Sequence, residues 1–334
     1  MAVRRALRSA ALLLLTLGLA SGLPLTASAR ATVAFTISDS RITESSGLAT
    51  DSRARVYWTI NDSGAGGVAY GLNSSGRVVG TLRYAAEPID VEAVALHDGR
   101  LYVADIGDNT EVRDFVTVYY FDNARADGQT VGYRSWDLTY PDGPHNAETL
   151  LVDGSGRLFV VTKGAATGAV YAAPRRLQRS GINKLSKVGN APAAVTDGTF
   201  LPGEERVALL TYGSIVVVDA KTYKTVGRAD IPVQAQPESL TVSLDKSSLL
   251  VGSEGRQSRV YAVPIPPKKS ASPTPTPVES STDPDTDSVP DQSDQPTEAD
   301  STTGRSRAGT LMALGLAGIV AGVAGAVVGL IRRP

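Results

Sequence analysis

Residues 91–109 read VEAVALHDGRLYVADIGDN, and this segment contains the pattern from which the fold can be predicted. Two runs rich in Val, Leu, Ala and Tyr flank a short polar turn, which is typical of two antiparallel strands joined by a tight connection. The pattern recurs in four further passages: SSGLATDSRARVYWTIND from Ser45, AETLLVDGSGRLFVVTKG from Ala147, TDGTFLPGEERVALLTYG from Thr196 and PESLTVSLDKSSLLVGSEG from Pro237. Five copies of one hairpin predict a repeat architecture built from strands.

Each repeat continues into a third apolar run, and the first four repeats continue into a fourth. The fourth runs are RVVGTLRY (77–84), YRSWDLTY (133–140), NKLSKVG (183–189) and YKTVGRADI (223–231). The fifth repeat lacks one, and the unassigned run VAFTISD (33–39) can replace it by pairing the start of the chain with its end. These units predict an all-β fold, a β-propeller of about five four-stranded blades over residues 30–265. A weak blade within 121–147 or 172–196 would raise the number to six.

The N-terminal 29 residues have the features of a secretory signal peptide. Arg4, Arg5 and Arg8 precede an apolar run, and Ala27-Ser28-Ala29 supplies a small-residue cleavage site. Paired arginines occur in both Sec and twin-arginine signals, and we favour Sec. The sequence therefore predicts export of the propeller domain.

The C-terminal part predicts a tether. Residues 266–307 are rich in Pro, Ser, Thr and Asp and predict a disordered stalk. Residues 308–331 are apolar and free of charge, about 36 Å long as a helix at ~1.5 Å per residue, which is enough to span a bilayer. Residues 332–334 would form a cytoplasmic tail, so the expected location is the cell membrane, single-pass, with the globular domain extracytoplasmic. Glycines on one face of the membrane helix suggest dimerisation, although glycine is common in such helices anyway.

The composition excludes several classes of site. The 33 basic and 34 acidic residues give no basic footprint, so nucleic acid is not an expected partner. The chain has no cysteine and two histidines, which excludes disulfides and thiolate metal sites. Any metal must be held by carboxylates and carbonyls, which favours a hard cation such as calcium.

Acidic residues recur at one register of the repeats. Glu92, Glu148, Asp197 and Glu238 each lie at the start of the predicted innermost strand, and the first repeat offers Glu44 nearby. In a propeller these carboxylates would converge at one mouth of the central channel, where like charges repel unless a cation compensates. They are therefore candidate calcium ligands; the alternative is that they accept hydrogen bonds from neighbouring strand ends.

The ends of the second strands add further polar residues. Asn61 and Asp62 lie at the end of the second strand of the first repeat. Asp105, Asp108 and Asn109 lie at the end of the second strand of the second repeat. Oxygen donors around a glycine can wrap a hard cation, and the same residues also form tight turns. We predict Asp105, Asp108 and Asn109 as metal ligands and Asn61 and Asp62 as ligand-binding residues.

Two further residues are candidate ligand-binding groups. Lys163 occupies the equivalent loop of the third repeat, and Ser253 and Glu254 occupy that of the fifth, so the mouth mixes charge signs and could receive an anionic ligand. His145 lies three residues before Glu148 and could act as a base or a metal ligand, whereas a loop histidine is the commoner role. The sequence contains no GxSxG, HExxH or P-loop motif, and no catalytic residue is assigned.

Several segments of the chain resemble the secreted β-propeller proteins of actinobacteria. These segments are WTINDSG, DVEAVAL with LYVADIGDN, YPDGPHNAETLLVD with LFVVTK, and PESLTV with LLVGSEG. This group is loosely allied with WD40-like, NHL-like and phytase-like propellers, and the resemblance covers roughly residues 40–265. It implies the fold and an exported location, and it carries no assigned reaction. The Trp-Asp and Gly-His signatures of true WD40 repeats are not present.

Two functional hypotheses follow from the sequence. The first is a membrane-tethered propeller that binds a protein, glycan or small ligand at the cell surface, stabilised by calcium. The second is a metal-dependent hydrolase of phosphoester or lactone type that uses the carboxylates at the channel mouth. Propellers support both classes, so the fold does not distinguish them, and we prefer the binding module.

Overall fold

A computed structural model describes residues 31–62 and 66–267. The chain divides into two compact units, Met1–Ser272 and Pro273–Pro334, and every described residue lies in the first. The predicted signal peptide, membrane helix and cytoplasmic tail, and nearly all of the predicted stalk, lie outside the described residues. Within the described ranges, no helix has the length and apolar character needed to cross a bilayer.

The described residues form 22 strands. They are β1 (Thr32–Ile37), β2 (Ser45–Asp51), β3 (Val56–Asn61), β4 (Val68–Leu72), β5 (Val78–Tyr84), β6 (Val91–His97), β7 (Arg100–Asp105), β8 (Val116–Phe121), β9 (Thr130–Val131), β10 (Arg134–Thr139), β11 (Ala147–Val152), β12 (Leu158–Thr162), β13 (Gly168–Ala172), β14 (Ile182–Lys184), β15 (Ser186–Ala191), β16 (Val195–Phe200), β17 (Arg206–Thr211), β18 (Ser214–Asp219), β19 (Thr225–Asp230), β20 (Pro237–Val242), β21 (Ser248–Ser253) and β22 (Ser258–Pro264).

These strands form five sheets, which are the five blades of a β-propeller. From the channel outward, blade 1 is β2-β3-β4-β5-β9, blade 2 is β6-β7-β8-β10-β14, blade 3 is β11-β12-β13-β15, blade 4 is β16-β17-β18-β19 and blade 5 is β20-β21-β22-β1. The first four strands of every blade are antiparallel, whereas β9 and β14 add a short parallel strand at the outer edge. The predicted all-β fold with five four-stranded blades is confirmed.

The two stretches that could have contained a sixth blade supply outer strands instead. β9 pairs with β5 of blade 1, and β14 pairs with β10 of blade 2. The run NKLSKVG was predicted as one strand, and that prediction is wrong: its first residues belong to β14, and the rest begins β15 of blade 3. The chain thus links neighbouring blades at their outer edges.

The ring is closed by the first and last strands of the described chain. β1 pairs antiparallel with β22, with Thr32 opposite Ala262 and Ile37 opposite Ser258. This is the pairing predicted for the unassigned run VAFTISD. Because β1 then leads directly toward β2 of blade 1, the pairing locks blade 5 to blade 1.

The hydrophobic core consists of five clusters, each lying between two neighbouring blades. In β12, successive side chains contribute to two different clusters. Leu158 and Val160 face blade 2, whereas Phe159 and Val161 face blade 4. Successive side chains of a strand point to opposite faces, so a strand buried on both sides is apolar throughout. The described residues therefore form a closed ring with a hydrophobic cluster between each pair of neighbouring blades.

The strand ends define two faces of the ring. Each innermost strand (β2, β6, β11, β16 and β20) begins at one face, which we call the acidic face, and ends at the other, which we call the basic face. The acidic face carries the loops before the innermost strands and the loops after the second strands. A cavity of about 330 Å³ lies in the channel toward the basic face and is lined by residues of all five innermost strands.

Closure by β1 makes a testable contribution to stability. Ile37 is buried, whereas Val33 on the same strand is half exposed. We expect Ile37→Ala to lower the free energy of unfolding by about 2–5 kcal/mol, because it leaves a cavity in the cluster between blades 5 and 1. Val33→Ala, the matched control, should change it by less than about 0.5 kcal/mol. Urea denaturation of residues 31–267 measures both, and equal effects would contradict a closing role for β1.

Candidate functional site

A β-bulge at the start of the innermost strands positions the acidic residues of the repeats. In blades 2, 3 and 5 the pairing with the second strand skips one residue, and the skipped residues are Glu92, Glu148 and Glu238. In blade 4 the skipped residue is Thr196. Bulged residues leave the regular ladder, which allows their side chains to turn toward the channel mouth.

Three positions in each blade lie at the mouth end of the channel, although Ile106 at one of them is buried in the core between blades 2 and 3. The first precedes the innermost strand and is occupied in blade order by Glu44, Asp90, Asn146, Ala194 and Gln236. The second is the second residue of that strand: Ser46, Glu92, Glu148, Thr196 and Glu238. The third follows the second strand: Asp62, Ile106, Lys163, Tyr212 and Glu254. Seven of these fifteen residues are acidic and one is basic.

Three carboxylates of the mouth, those of Asp62, Asp90 and Glu92, converge on one point. One carboxylate oxygen from each lies within 4.8 Å of the other two, and the residues come from blades 1 and 2. Glu92 is buried, and the other two are half-buried. This is the spacing of carboxylates that share a cation or share protons.

The electrostatics of this group reflect charge repulsion in a desolvated space. Burial, followed by the charge of Asp90, raises the pKa of Asp62 to about 7. Burial and the neighbouring Glu148 raise the pKa of Glu92 well above its usual range. Burial also raises the pKa of Asp90, although Arg113 opposes the shift. A cation at this point would remove the repulsion and keep the carboxylates ionised.

Gly107 fits against this group because it has no side chain. A Cβ at this position would overlap the Asp90 carboxylate and come within 2.7 Å of Glu92 Oε1. The Gly107 amide donates to the carbonyl of Asp90, and its own carbonyl accepts from Arg113 Nη1 at 2.7 Å. The glycine of the ADIGDN motif therefore lets the loop approach the carboxylates closely.

Blade 3 adds a buried ion pair to the mouth. Lys163 Nζ donates to Glu148 Oε1 at 2.5 Å, whereas Glu148 Oε2 is buried and has no hydrogen-bond partner among the described residues. Burial raises the pKa of Glu148 although Lys163 opposes it. Lys163 also hydrogen-bonds to Tyr212, and its Nζ lies 5.1 Å from the centre of that ring, which is 45% exposed. Although burial disfavours the ammonium, Glu148 raises the pKa of Lys163 and keeps it charged.

Blade 5 contributes a second carboxylate pair. Glu254 hydrogen-bonds to Glu238, and burial, followed by this contact, raises the pKa of Glu254. Gln236 Nε2 donates to Glu238 Oε1 at 2.7 Å. The charge of Glu238 also raises the pKa of both Asp62 and Glu92, so this pair belongs to the same electrostatic cluster.

Asp197 lies one residue beyond the bulge position at which the sequence alignment placed it. Its Oδ1 accepts from the amide of Gly198 at 2.7 Å, and its Oδ2 accepts from the amide of Leu240 at 2.6 Å. The Leu48 amide also hydrogen-bonds to it, so one buried carboxylate joins blades 1, 4 and 5 across the channel. This is the strand-end role that the sequence analysis kept as an alternative to cation binding.

Asn61 and Asp105 are equivalent residues that hold the loops before the innermost strands. Asn61 Oδ1 accepts from the amides of Thr43 and Glu44 at 3.2 Å each. The Asp105 carboxylate accepts from the amides of Ile89 and Asp90 at 3.0 Å each and from Arg113 at 2.8 Å. Both side chains therefore position the carboxylates of the mouth through the backbone.

Asp108, Asn109 and His145 lie in the loops around the mouth. Asp108 accepts from the amides of Val112 and Arg113 at 3.0 and 2.8 Å. Asn109 Oδ1 accepts from Asn146 Nδ2 at 3.1 Å, which ties the loop of blade 2 to that of blade 3.

His145 belongs to a hydrogen-bonded group in the loop before β11. Its Nε2 lies 3.1 Å from Asp142 Oδ1 and 3.0 Å from the Tyr171 hydroxyl, which donates to Asp142. The histidine is thus engaged with Asp142 and Tyr171 at the junction of blades 2 and 3.

Sequence reasoning missed Asp90 and Tyr212 as members of the mouth. Asp90 directly precedes the recognised Val91-Glu92, and Tyr212 occupies the loop position at which Asp62, Lys163 and Glu254 were recognised. Extending the alignment by one residue before each hairpin would have found Asp90, and comparing the residue after every second strand would have found Tyr212.

Comparison with known proteins finds no matching family model and no matching curated protein. Among the solved structures, two are similar to this chain. XC5397, described as a gluconolactonase from Xanthomonas campestris, is 14% identical with a TM-score of 0.41, covering 70% of this chain and 89% of that one. A luciferin-regenerating enzyme is 11% identical with a TM-score of 0.40, covering 67% and 92%. At 14% and 11% identity, the activities of these two enzymes are not assigned to this chain.

The raised carboxyl pKa values predict how stability depends on pH in the absence of a cation. The pKa of Asp62 is about 7 in the folded chain and about 4 when unfolded, so between these values the folded state binds more protons. Stability should therefore fall as pH rises from about 4 to about 7. Asp62→Asn should flatten this slope. Urea midpoints in EDTA at about pH 5 and about pH 8 test it, and a rise in midpoint over this range would contradict the description of the site.

Proposed function

We propose that this propeller binds a hard divalent cation, calcium above all, at its acidic mouth and uses the loaded mouth to capture an extracytoplasmic ligand. The observation that carries the proposal is the group formed by Asp62, Asp90 and Glu92, whose carboxylate oxygens converge within 4.8 Å. Calcium takes six to eight oxygen ligands and accepts carboxylates together with carbonyls and water.

The surroundings of the group support a cation rather than shared protons alone. Glu148 Oε2 is buried without a hydrogen-bond partner among the described residues, and Glu148 raises the pKa of Glu92, so its charge acts on the same space. A buried carboxylate oxygen without a partner is costly. A cation in this space would offset the charge of Glu148 together with the repulsion among the three carboxylates.

The rest of the mouth suits ligand capture. Tyr212 offers a partly exposed ring and hydroxyl, and Lys163 beside it carries a positive charge. A protein, a glycan or a small molecule could use these groups together with open positions on the cation. Because the predicted signal peptide and membrane helix imply export and tethering, the proposed ligand is outside the cytoplasm.

A calcium titration of thermal unfolding tests the proposal. For residues 31–267, calcium at about 100 times its dissociation constant should raise the melting temperature by roughly 5–10 °C relative to EDTA. Glu92→Gln should abolish this response and raise stability in EDTA, because it removes a buried repulsion. Glu111→Gln, an exposed acid of the same face, should retain the response. A wild-type protein insensitive to calcium, or a Glu92→Gln protein that still responds, would refute the site.

The second candidate is a calcium-dependent hydrolase of phosphoester or lactone type. Glu148 favours it, because a buried carboxylate with a raised pKa beside a cation can take a proton from a metal-activated water. Turnover by the calcium-loaded propeller of an aryl phosphoester or a simple lactone, lost in Glu148→Gln while the calcium response persists, would support this candidate. Absence of turnover in the wild type would reject the hydrolase and retain the ligand-binding propeller.

A further inference from the structure

The two faces of the propeller carry opposite charge. The loops of the acidic face contain ten Asp and Glu and four Lys and Arg, outside the strands. The connections of the basic face contain eleven Lys and Arg and seven Asp and Glu. These connections are residues 52–55, 73–77, 98–99, 122–129, 153–157, 173–181, 201–205, 220–224 and 243–247. The chain as a whole is nearly neutral, but its charges are separated between the two faces of the propeller.

The cations of the basic face are exposed and spread over its area. Blade 1 contributes Arg53, Arg55 and Arg77, and the segment between blades 2 and 3 contributes 175–179. Blades 4 and 5 contribute the last group, which consists of Lys221, Lys224 and Lys246. Positive side chains distributed around a ring match a planar anionic surface better than a single strand of polymer, which would need a continuous groove.

The chain path supports the same orientation. Thr32 lies opposite Ala262 and Pro264 lies opposite Ser248, so both ends of the described propeller lie at the basic face. The sequence predicts a membrane segment at 308–331, beyond the second of these ends. The chain that leads to this predicted segment therefore leaves the propeller at the basic face.

We infer that the basic face of the propeller docks on anionic lipid headgroups and so turns the acidic mouth away from the bilayer. Each exposed cation near such a surface strengthens binding by about fivefold. The inference does not depend on cation binding at the mouth. It assigns the orientation of the domain to the propeller itself, with the tether supplying only proximity.

Vesicle sedimentation with residues 31–267, which lack the predicted membrane segment, tests the docking surface. We expect binding to phosphatidylcholine vesicles containing phosphatidylglycerol, no binding to phosphatidylcholine alone, and loss of binding at high salt. The triple variant R175Q/R176Q/R179Q should weaken binding by roughly 100-fold. These arginines are exposed or near the surface of one connection, so the fold should survive, and an unchanged urea midpoint would verify this.

Matched single substitutions locate the surface. Arg176→Gln on the basic face should weaken vesicle binding by about fivefold, whereas Arg256→Gln, exposed on the acidic face, should leave it unchanged although it alters net charge equally. Equal effects of the two variants, or absence of binding to anionic vesicles, would overturn the inference. Binding to soluble polyphosphate as tight as to anionic vesicles would also overturn the assignment to a bilayer.

Discussion

The pairing of β1 with β22 is the constraint on which the other features depend. A propeller blade has apolar residues on both sheet faces, so the two end blades of an open row would each expose one of them. Closure buries these faces in the cluster that contains Phe35, Ile37 and Leu250. It also brings Asp62 of blade 1 close enough to Glu238 of blade 5 for the charge of the glutamate to raise the aspartate pKa. The acidic mouth as a single electrostatic cluster therefore exists only in the closed ring.

The mouth brings together carboxylates whose negative charges repel one another. Hydrogen bonds from the surrounding loops and strands hold these carboxylates in place. Asp105, for example, fixes the backbone at Asp90 through two amide hydrogen bonds and binds Arg113, which partly offsets the negative potential. Asp197 joins three blades across the channel. Such hydrogen bonds keep the carboxylates together against their repulsion, as a preorganised cation site requires. The proposed calcium would then act both as a ligand-capturing centre and as a source of stability.

The opposite faces of the ring suit different tasks. All innermost strands run from the acidic face to the basic face, so residues at equivalent positions of the repeats gather at the same face. One face collects the carboxylates, and the other collects exposed cations and both ends of the described propeller. A propeller that rests on its basic face would hold the mouth open to solutes that reach the cell surface. The two proposals are compatible, yet each can fail without the other.

The sequence was sufficient to predict the five repeats, the hairpin that begins each of them, the closing role of residues 33–39 and the recurrence of acids near the start of the innermost strands. These features are local, because alternation, turn residues and spacing are written along the chain. Which side chains meet depends on the pairing of strands in three dimensions. Glu92, Glu148 and Glu238 sit at bulges, and the corresponding residue of blade 4 is Thr196, so Asp197 serves the backbone instead. A shift of one residue turns a strand side chain to the opposite direction, and the bulge that sets this shift depends on pairing between strands.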